Sequence, residues 1–175
     1  METLTILTPT YNREKSLLNW YHFLCKQTNM DFCWIVVGDG SSNKTYNLIS
    51  SLVDNAPFHI ICLKKENDGK HTAVNYEVKQ IYTPLTIIID SDDFMTNDAV
   101  QSIIEILKKY IDYENIGSYT FLKGHRDGSK IVSVEREEFI DNYIHYRIKA
   151  HRTGDMAEVV KISKTIFNYR MWVAA

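Results

Sequence analysis

Asp90, Asp92 and Asp93 end the apolar stretch "TIIIDSDDF" (Thr86–Phe94), so four apolar or β-branched residues run directly into three carboxylates. Alternate residues of an extended backbone share a face, which puts Asp90 and Asp92 on one side with Ser91 between them. Two such carboxylates suit Mg²⁺ or Mn²⁺, hard cations that fill their remaining positions with water or phosphate oxygens. A metal-diphosphate would relieve the repulsion among the three acids. The same residues also fit an acidic loop leading into a helix, with Asp98 near its N-terminus.

Three other polar segments follow apolar runs: "TPTYNRE", "GDGSSNKT" and "ENDGKHTAVN". Asp39, in the second, could accept a hydrogen bond from a pyrimidine imide or simply form the turn with Gly40. Tyr11, in the first, could stack on a base or only pack within its turn. In the third, Gly69 permits a tight turn, and Lys70 precedes a helix predicted from about Thr72, where a cation and a helix N-terminus would together suit phosphate. His71 has no partner at metal-ligand spacing and reads as a polar contact.

The elements that must hold these segments are legible as apolar runs at 4–8, 32–38, 59–63, 85–90 and 116–122. Continuous β-branched runs predict strands covered on both faces. Between the first two, Leu17, Leu18, Tyr21, Leu24 and Cys25 recur at helical spacing, as do Val100, Ile103, Ile104, Leu107 and Ile111 after the fourth. Alternation of strand and helix predicts an α/β layer fold with a largely parallel sheet. Such sheets bind ligands at the carboxyl ends of their strands, where all four polar segments fall. From about Lys123 the rhythm changes: Asp127-Gly128 offers a hairpin turn, "REEFIDNYIHYRI" a helix and "AEVVKIS" (157–163) a further strand. The chain stops at "NYRMWVAA" without a cap signal, which predicts truncation.

With 175 residues and 45% hydrophobic content, the chain has enough material for one sizeable core. Its net charge of −2 is unevenly spread. Residues 1–120 carry 10 Lys+Arg against 15 Asp+Glu, and residues 121–175 carry 10 against 7. The mildly basic last third could suit an anionic substrate or a membrane surface, but scattered surface charge on an ordinary solvated face is the better reading of it. Nucleic acid is not among the expected partners. Cys25, Cys33 and Cys62 form no CxxC pair and sit in apolar stretches, which points to a reducing compartment. No secretory leader precedes the first strand, and no run nears the about 18 apolar residues of a membrane span. The expectation is a cytoplasmic protein with room for peripheral membrane contact.

In this order and on successive strands, "TPTYNRE", "VVGDGSSNKT", "ENDGKHTAVN" and "IIIDSDDFM" resemble the family 2 glycosyltransferases. The resemblance covers residues 3–111 well and continues more weakly through "GDMAEVVKIS" (154–163). It implies the GT-A fold, a Rossmann-like α/β architecture with a mostly parallel central sheet flanked by helices. Residues 1–122 would form the donor subdomain and 123–175 a partial acceptor subregion. It further implies a metal-dependent, inverting enzyme that takes sugar from a nucleotide-diphospho-sugar, UDP-sugar favoured, to a glycan or lipid-linked acceptor in polysaccharide synthesis. By the same resemblance Tyr11 lies against the base, Asp39 hydrogen-bonds it, and Thr8 and Pro9 shape its pocket. Lys70 nears the diphosphate. Asp90, Ser91 and Asp92 match the DxD motif, with Asp90 on the ribose or metal and Asp92 on Mn²⁺ or Mg²⁺.

Inverting members also use a carboxylate base, usually placed beyond the "GDMAEVVK" region, and no matching acidic pair is found before Ala175. Asp155 and Glu158 are the candidate carboxylates in that neighbourhood, but they match the segment preceding the base, so a structural role fits them better than the role of the base. The missing base keeps open a non-catalytic nucleotide-sugar-binding module. A phosphohydrolase with a DxD nucleophile is a second alternative, although that motif belongs on a first strand and here falls on the fourth. A receiver-type signalling domain would need paired acids after the first strand, where "TPTYN" stands.

Overall fold

A computed structural model describes residues 2–66, 78, 80–125, 127, 129, 140–142, 145 and 155–162. Six strands and three helices are described: β1 (Leu4–Thr10), α1 (Glu14–Leu24), β2 (Phe32–Asp39), α2 (Asn43–Val53), β3 (His59–Lys65), β4 (Leu85–Ile88), α3 (Ala99–Lys109), β5 (Ser118–Leu122) and β6 (Met156–Lys161). Each predicted apolar run coincides with or overlaps one strand.

The strands form one sheet in the order β3-β2-β1-β4-β6-β5. β1 pairs in parallel with β2 and β4, and β2 in parallel with β3. β6 runs antiparallel to both of its neighbours, β4 and β5. It comes from the 123–175 region yet lies inside the sheet, so the sheet draws on both sides of the proposed subdomain boundary.

β2 is buried along its whole length and β1 nearly so, because both faces are covered. Leu4, Ile6, Phe32, Trp34 and Val36 belong to the main core, together with Leu17, Trp20, Tyr21 and Leu24 of α1 and Val100, Ile103 and Ile104 of α3. The alternate residues Leu7, Cys33, Ile35 and Val37 form a smaller cluster on the opposite face. The helical spacing therefore buries as predicted, except that Leu18 stays partly exposed and Ile111 falls beyond the end of α3 and is exposed. The three cysteines are free thiols, Cys33 buried and the others half-buried.

The start of α3 is secured from a distance. Asp98 occupies the cap position but makes no side-chain capping bond, its φ of −103° and ψ of 8° lying away from extended cap geometry. Instead the Val100 N–H donates to Gln27 Oε1 at 3.1 Å, while Gln27 Nε2 donates to the Thr96 carbonyl at 2.8 Å. Gln27 is buried at the end of α1, so one amide ties α1 to the loop carrying the aspartates.

At the predicted hairpin, the Ser129 N–H and hydroxyl both donate to Asp127 Oδ1, at 2.9 and 2.6 Å. Gly128 and most of "REEFIDNYIHYRI" lie outside the described residues. Among the described residues no helix is long and apolar enough to cross a membrane.

Candidate functional site

After β1 the chain steps outward to β2 and β3, then returns to the other side of β1 as β4. β1 and β4 thus flank a topological switch point, the place where open α/β sheets form a crevice at their carboxyl ends. A cleft of about 390 Å³ lies there, lined by Pro9, Thr10, Tyr11, Arg13, Asp39, Asp90, Ser91 and Asp92. Three loops separated by up to 83 positions in the chain meet around it, since Pro9 and Asp92 are the outermost of these residues.

The loops after β1 and β2 are bound to each other. The Ser41 hydroxyl donates to the Thr10 carbonyl and accepts from the Asn12 N–H, both at 3.2 Å, and Asn12 Oδ1 accepts from the Ser42 N–H at 2.7 Å. Asn12 adopts a φ of 49°, a left-handed conformation that asparagine tolerates better than most residues. Glu14 Oε1 accepts from the hydroxyls of Thr45, at 2.8 Å, and Ser42, at 3.2 Å. Its own backbone N–H and then the Thr45 hydroxyl hold its carboxyl below the usual glutamate range.

Asp39 is only 7% exposed and faces Lys65, whose Nζ lies 3.4 Å from Oδ1 and also donates to the Glu66 carbonyl at 2.8 Å. Gly40 turns the chain away with a φ of 73°, and its N–H donates to the Lys65 carbonyl at 2.7 Å. Just before, Gly38 has no room for a side chain, because a Cβ would collide with the Tyr46 ring and hydroxyl. The Tyr46 hydroxyl donates to the Gly38 carbonyl at 2.9 Å.

The three aspartates after β4 have different surroundings. Asp92 receives Arg13 Nη1 at 2.7 Å, with both side chains more than half exposed. Asp93 lies 3.3 Å from Lys123 Nζ, which also reaches Asp155 at 2.7 Å. Partial burial works against the Lys123 charge, but the hydrogen bond to Asp155 and the fields of Asp93 and Asp155 outweigh it and raise its pKa. The acidic cluster is thus divided: Asp90 and Asp92 line the cleft, while Asp93 is drawn toward the end of β5.

The sequence-derived residues Pro9, Tyr11, Asp39, Asp90, Ser91 and Asp92 come together around the cleft. Thr8 does not line it. It is fully buried, and its hydroxyl accepts from Trp34 Nε1 at 3.0 Å. Lys70, His71 and Gly69 lie outside the described residues. Asp155 is exposed and tied to Lys123, and Glu158 stands opposite Thr120 within the sheet; neither lines the cleft. Sequence reasoning missed Thr10, Arg13, Lys65 and Lys123. Arg13 sits in the quoted "TPTYNRE", but only the adjacency of β1 and β4 reveals its partner.

Among the described residues no three side chains form a metal-binding group. Asp90 and Asp92 supply hard oxygen ligands to one cleft, and Asp92 already attracts a cation in Arg13. That donor set fits Mg²⁺ or Mn²⁺ bound jointly with a phosphate-bearing ligand, rather than a cage built from protein alone.

A mostly parallel sheet with an inserted antiparallel strand, and a polar crevice at its switch point, is an α/β architecture that the chain shares with GT-A glycosyltransferases of known structure. The sequence profile of glycosyl transferase family 2 matches residues 5–160, and the chain belongs to that family. It is 31% identical over 96 residues to an undecaprenyl-phosphate 4-deoxy-4-formamido-L-arabinose transferase of Photorhabdus laumondii, covering 53% of this chain and 30% of that one. A mannosyltransferase of Pyrobaculum calidifontis, solved with GDP-Man and Mn²⁺, superposes with a TM-score of 0.65 at 18% identity, covering 90% of this chain and 44% of that one. Residues 1–349 of TarS from S. aureus, solved with UDP, give a TM-score of 0.65 at 18% identity, covering 92% and 47%. The chain spans 15–55% of the length of four curated relatives that it matches. Family membership and the position of "DSDD" on the fourth strand remove the phosphohydrolase alternative.

Proposed function

We propose that the cleft binds the nucleoside diphosphate of a nucleotide-diphospho-sugar, with a UDP-sugar favoured, and that the whole protein transfers the sugar with inversion to a hydroxyl of a glycan or lipid-linked acceptor. The observation that carries this reading is the convergence of Tyr11, Asp39 and the Asp90-Ser91-Asp92 loop on one cleft of ligand size. Tyr11 is 53% exposed at its rim, which leaves a ring face available for a base. Asp39 is an acceptor suited to the imide N–H of uracil, held in place beside Lys65. The solved relatives carry GDP-Man in one case and UDP in the other, so the preference for uracil rests on Asp39 and not on the fold.

In this reading Asp90 meets the ribose or the cation, and Asp92 is a ligand of Mn²⁺ or Mg²⁺. The cation, when bound, supplies positive charge that stabilises the departing diphosphate. Lys70 adds a second positive group near the phosphates. Transfer forms a bond from the acceptor oxygen to the anomeric carbon while the bond to the diphosphate oxygen breaks on the opposite face. The acceptor proton passes to a base, a role assigned to neither Asp155 nor Glu158. The name of the Photorhabdus relative supports a lipid-linked acceptor. Free thiols suit a reducing cytoplasm, and the basic last third suits an anionic membrane surface carrying such an acceptor.

Calorimetric titration of UDP into the chain with Mn²⁺, then with EDTA, tests the donor site. Metal-dependent binding is expected, weakened by about 1–3 kcal/mol in Asp92→Asn, the scale of a lost charged partner. Binding of equal strength with Mn²⁺ and EDTA, or in wild type and Asp92→Asn, would remove the metal assignment. No binding of UDP would overturn the donor reading, and tighter binding of GDP would overturn the preference for uracil.

A further inference from the structure

Among the described residues lining the cleft, Arg13 is the one cationic side chain, and it reaches across from the loop after β1 to the loop after β4. Its Nη1 lies 2.7 Å from Asp92 Oδ2, so it takes up an oxygen that a divalent cation would need. Guanidinium cannot lose its proton in a protein, and the pair therefore separates only by movement of a side chain. Such movement is unhindered here: the side chains of Arg13 and Asp92 are 53% and 58% exposed. Only the backbone carbonyl of Arg13 holds the helix, accepting from the Leu17 N–H at 2.9 Å, and its side chain makes no capping bond.

We infer that Arg13 is a resident counter-charge that competes with the divalent cation for Asp92 and lowers the cation affinity of the nucleotide-free cleft. The inference rests on the reading of Asp92 as a cation ligand. Its consequence is an order of events. Metal alone must displace Arg13 and gains only two carboxylates, whereas metal arriving with a diphosphate brings phosphate oxygens and offers the released guanidinium a new anionic partner. Arg13 thereby favours the metal-nucleotide pair over free metal.

The test is Mn²⁺ binding to the nucleotide-free chain, followed by the electron paramagnetic resonance signal of free Mn²⁺. Arg13→Gln is expected to bind Mn²⁺ about two- to five-fold more tightly than wild type, the range set by exposed ion pairs. Arg13→Lys, which keeps the charge, should stay within about two-fold of wild type. In the Asp92→Asn background the effect of Arg13→Gln should vanish. A purely structural role for Arg13 would make the glutamine variant bind more weakly, and that result, an unchanged affinity, or no Mn²⁺ binding by either protein would overturn the inference. Melting curves of the variants, expected to match wild type, separate these outcomes from loss of fold. Failure of the donor reading registers elsewhere, as absent UDP binding, and leaves the Mn²⁺ comparison interpretable.

Discussion

Asp39 and Lys65 face each other with side-chain exposures of 10% and 17%, low enough for removal of one charge to strand the other. Asp39→Ala should lower stability by about 1–3 kcal/mol in urea denaturation, the cost of leaving a largely buried ammonium with only the Glu66 carbonyl as partner. The same change in a Lys65→Met background should cost less, because no ammonium is then left behind; an equal cost in both would show that the pair is energetically idle. The sequence offered Asp39 as either a turn residue or a base contact; in the structure it lines the cleft, next to the turn residue Gly40. Gly40 makes the turn, while Asp39 points its burial toward Lys65 and the cleft. Lys65 was invisible beforehand because it ends β3, and its contact depends on the register that sets Asp39 opposite Lys65.

At the scale of elements, helix starts draw on partners from elsewhere in the chain, and neither Asp98 nor Ser42 makes a side-chain capping bond. Asp98 stands at the start of α3, but Gln27 accepts the helix N–H; Ser42 stands at the start of α2, but its hydroxyl turns to Glu14. Glu14 thereby joins the first turn of α1 to α2 through Ser42 and Thr45. Its folded-state pKa is depressed, so the stability it contributes is present above its unfolded value and is lost as pH falls through the folded one. Wild type should therefore melt above Glu14→Gln at pH 7, with the two curves converging as the pH drops below the glutamate range. A gap that persisted unchanged at pH 3 would mean that the hydroxyl contacts do not depend on the charge. Lys123 works in the opposite sense: its raised pKa keeps its contribution intact at neutral pH and loses it only in strong alkali.

At the scale of the whole molecule, the strands were legible because continuous apolar runs are what a doubly covered sheet requires. Their order was not. Nothing local places β6 between β4 and β5, since pairing across the sheet is decided by long-range packing. The cleft was half legible for the same reason: residues following strands could be gathered from the sequence, whereas Arg13 opposite Asp92 required β1 and β4 to be neighbours. The central claim is that this switch-point cleft is where the nucleoside diphosphate sits. Amide hydrogen exchange, measured with and without UDP and Mn²⁺, tests it most directly. The account predicts slowed exchange at Thr10–Asn12, Asp39–Ser41 and Ser91–Asp93, with little change at α2 and β5. Protection confined to other segments, or none at saturating UDP, would contradict it.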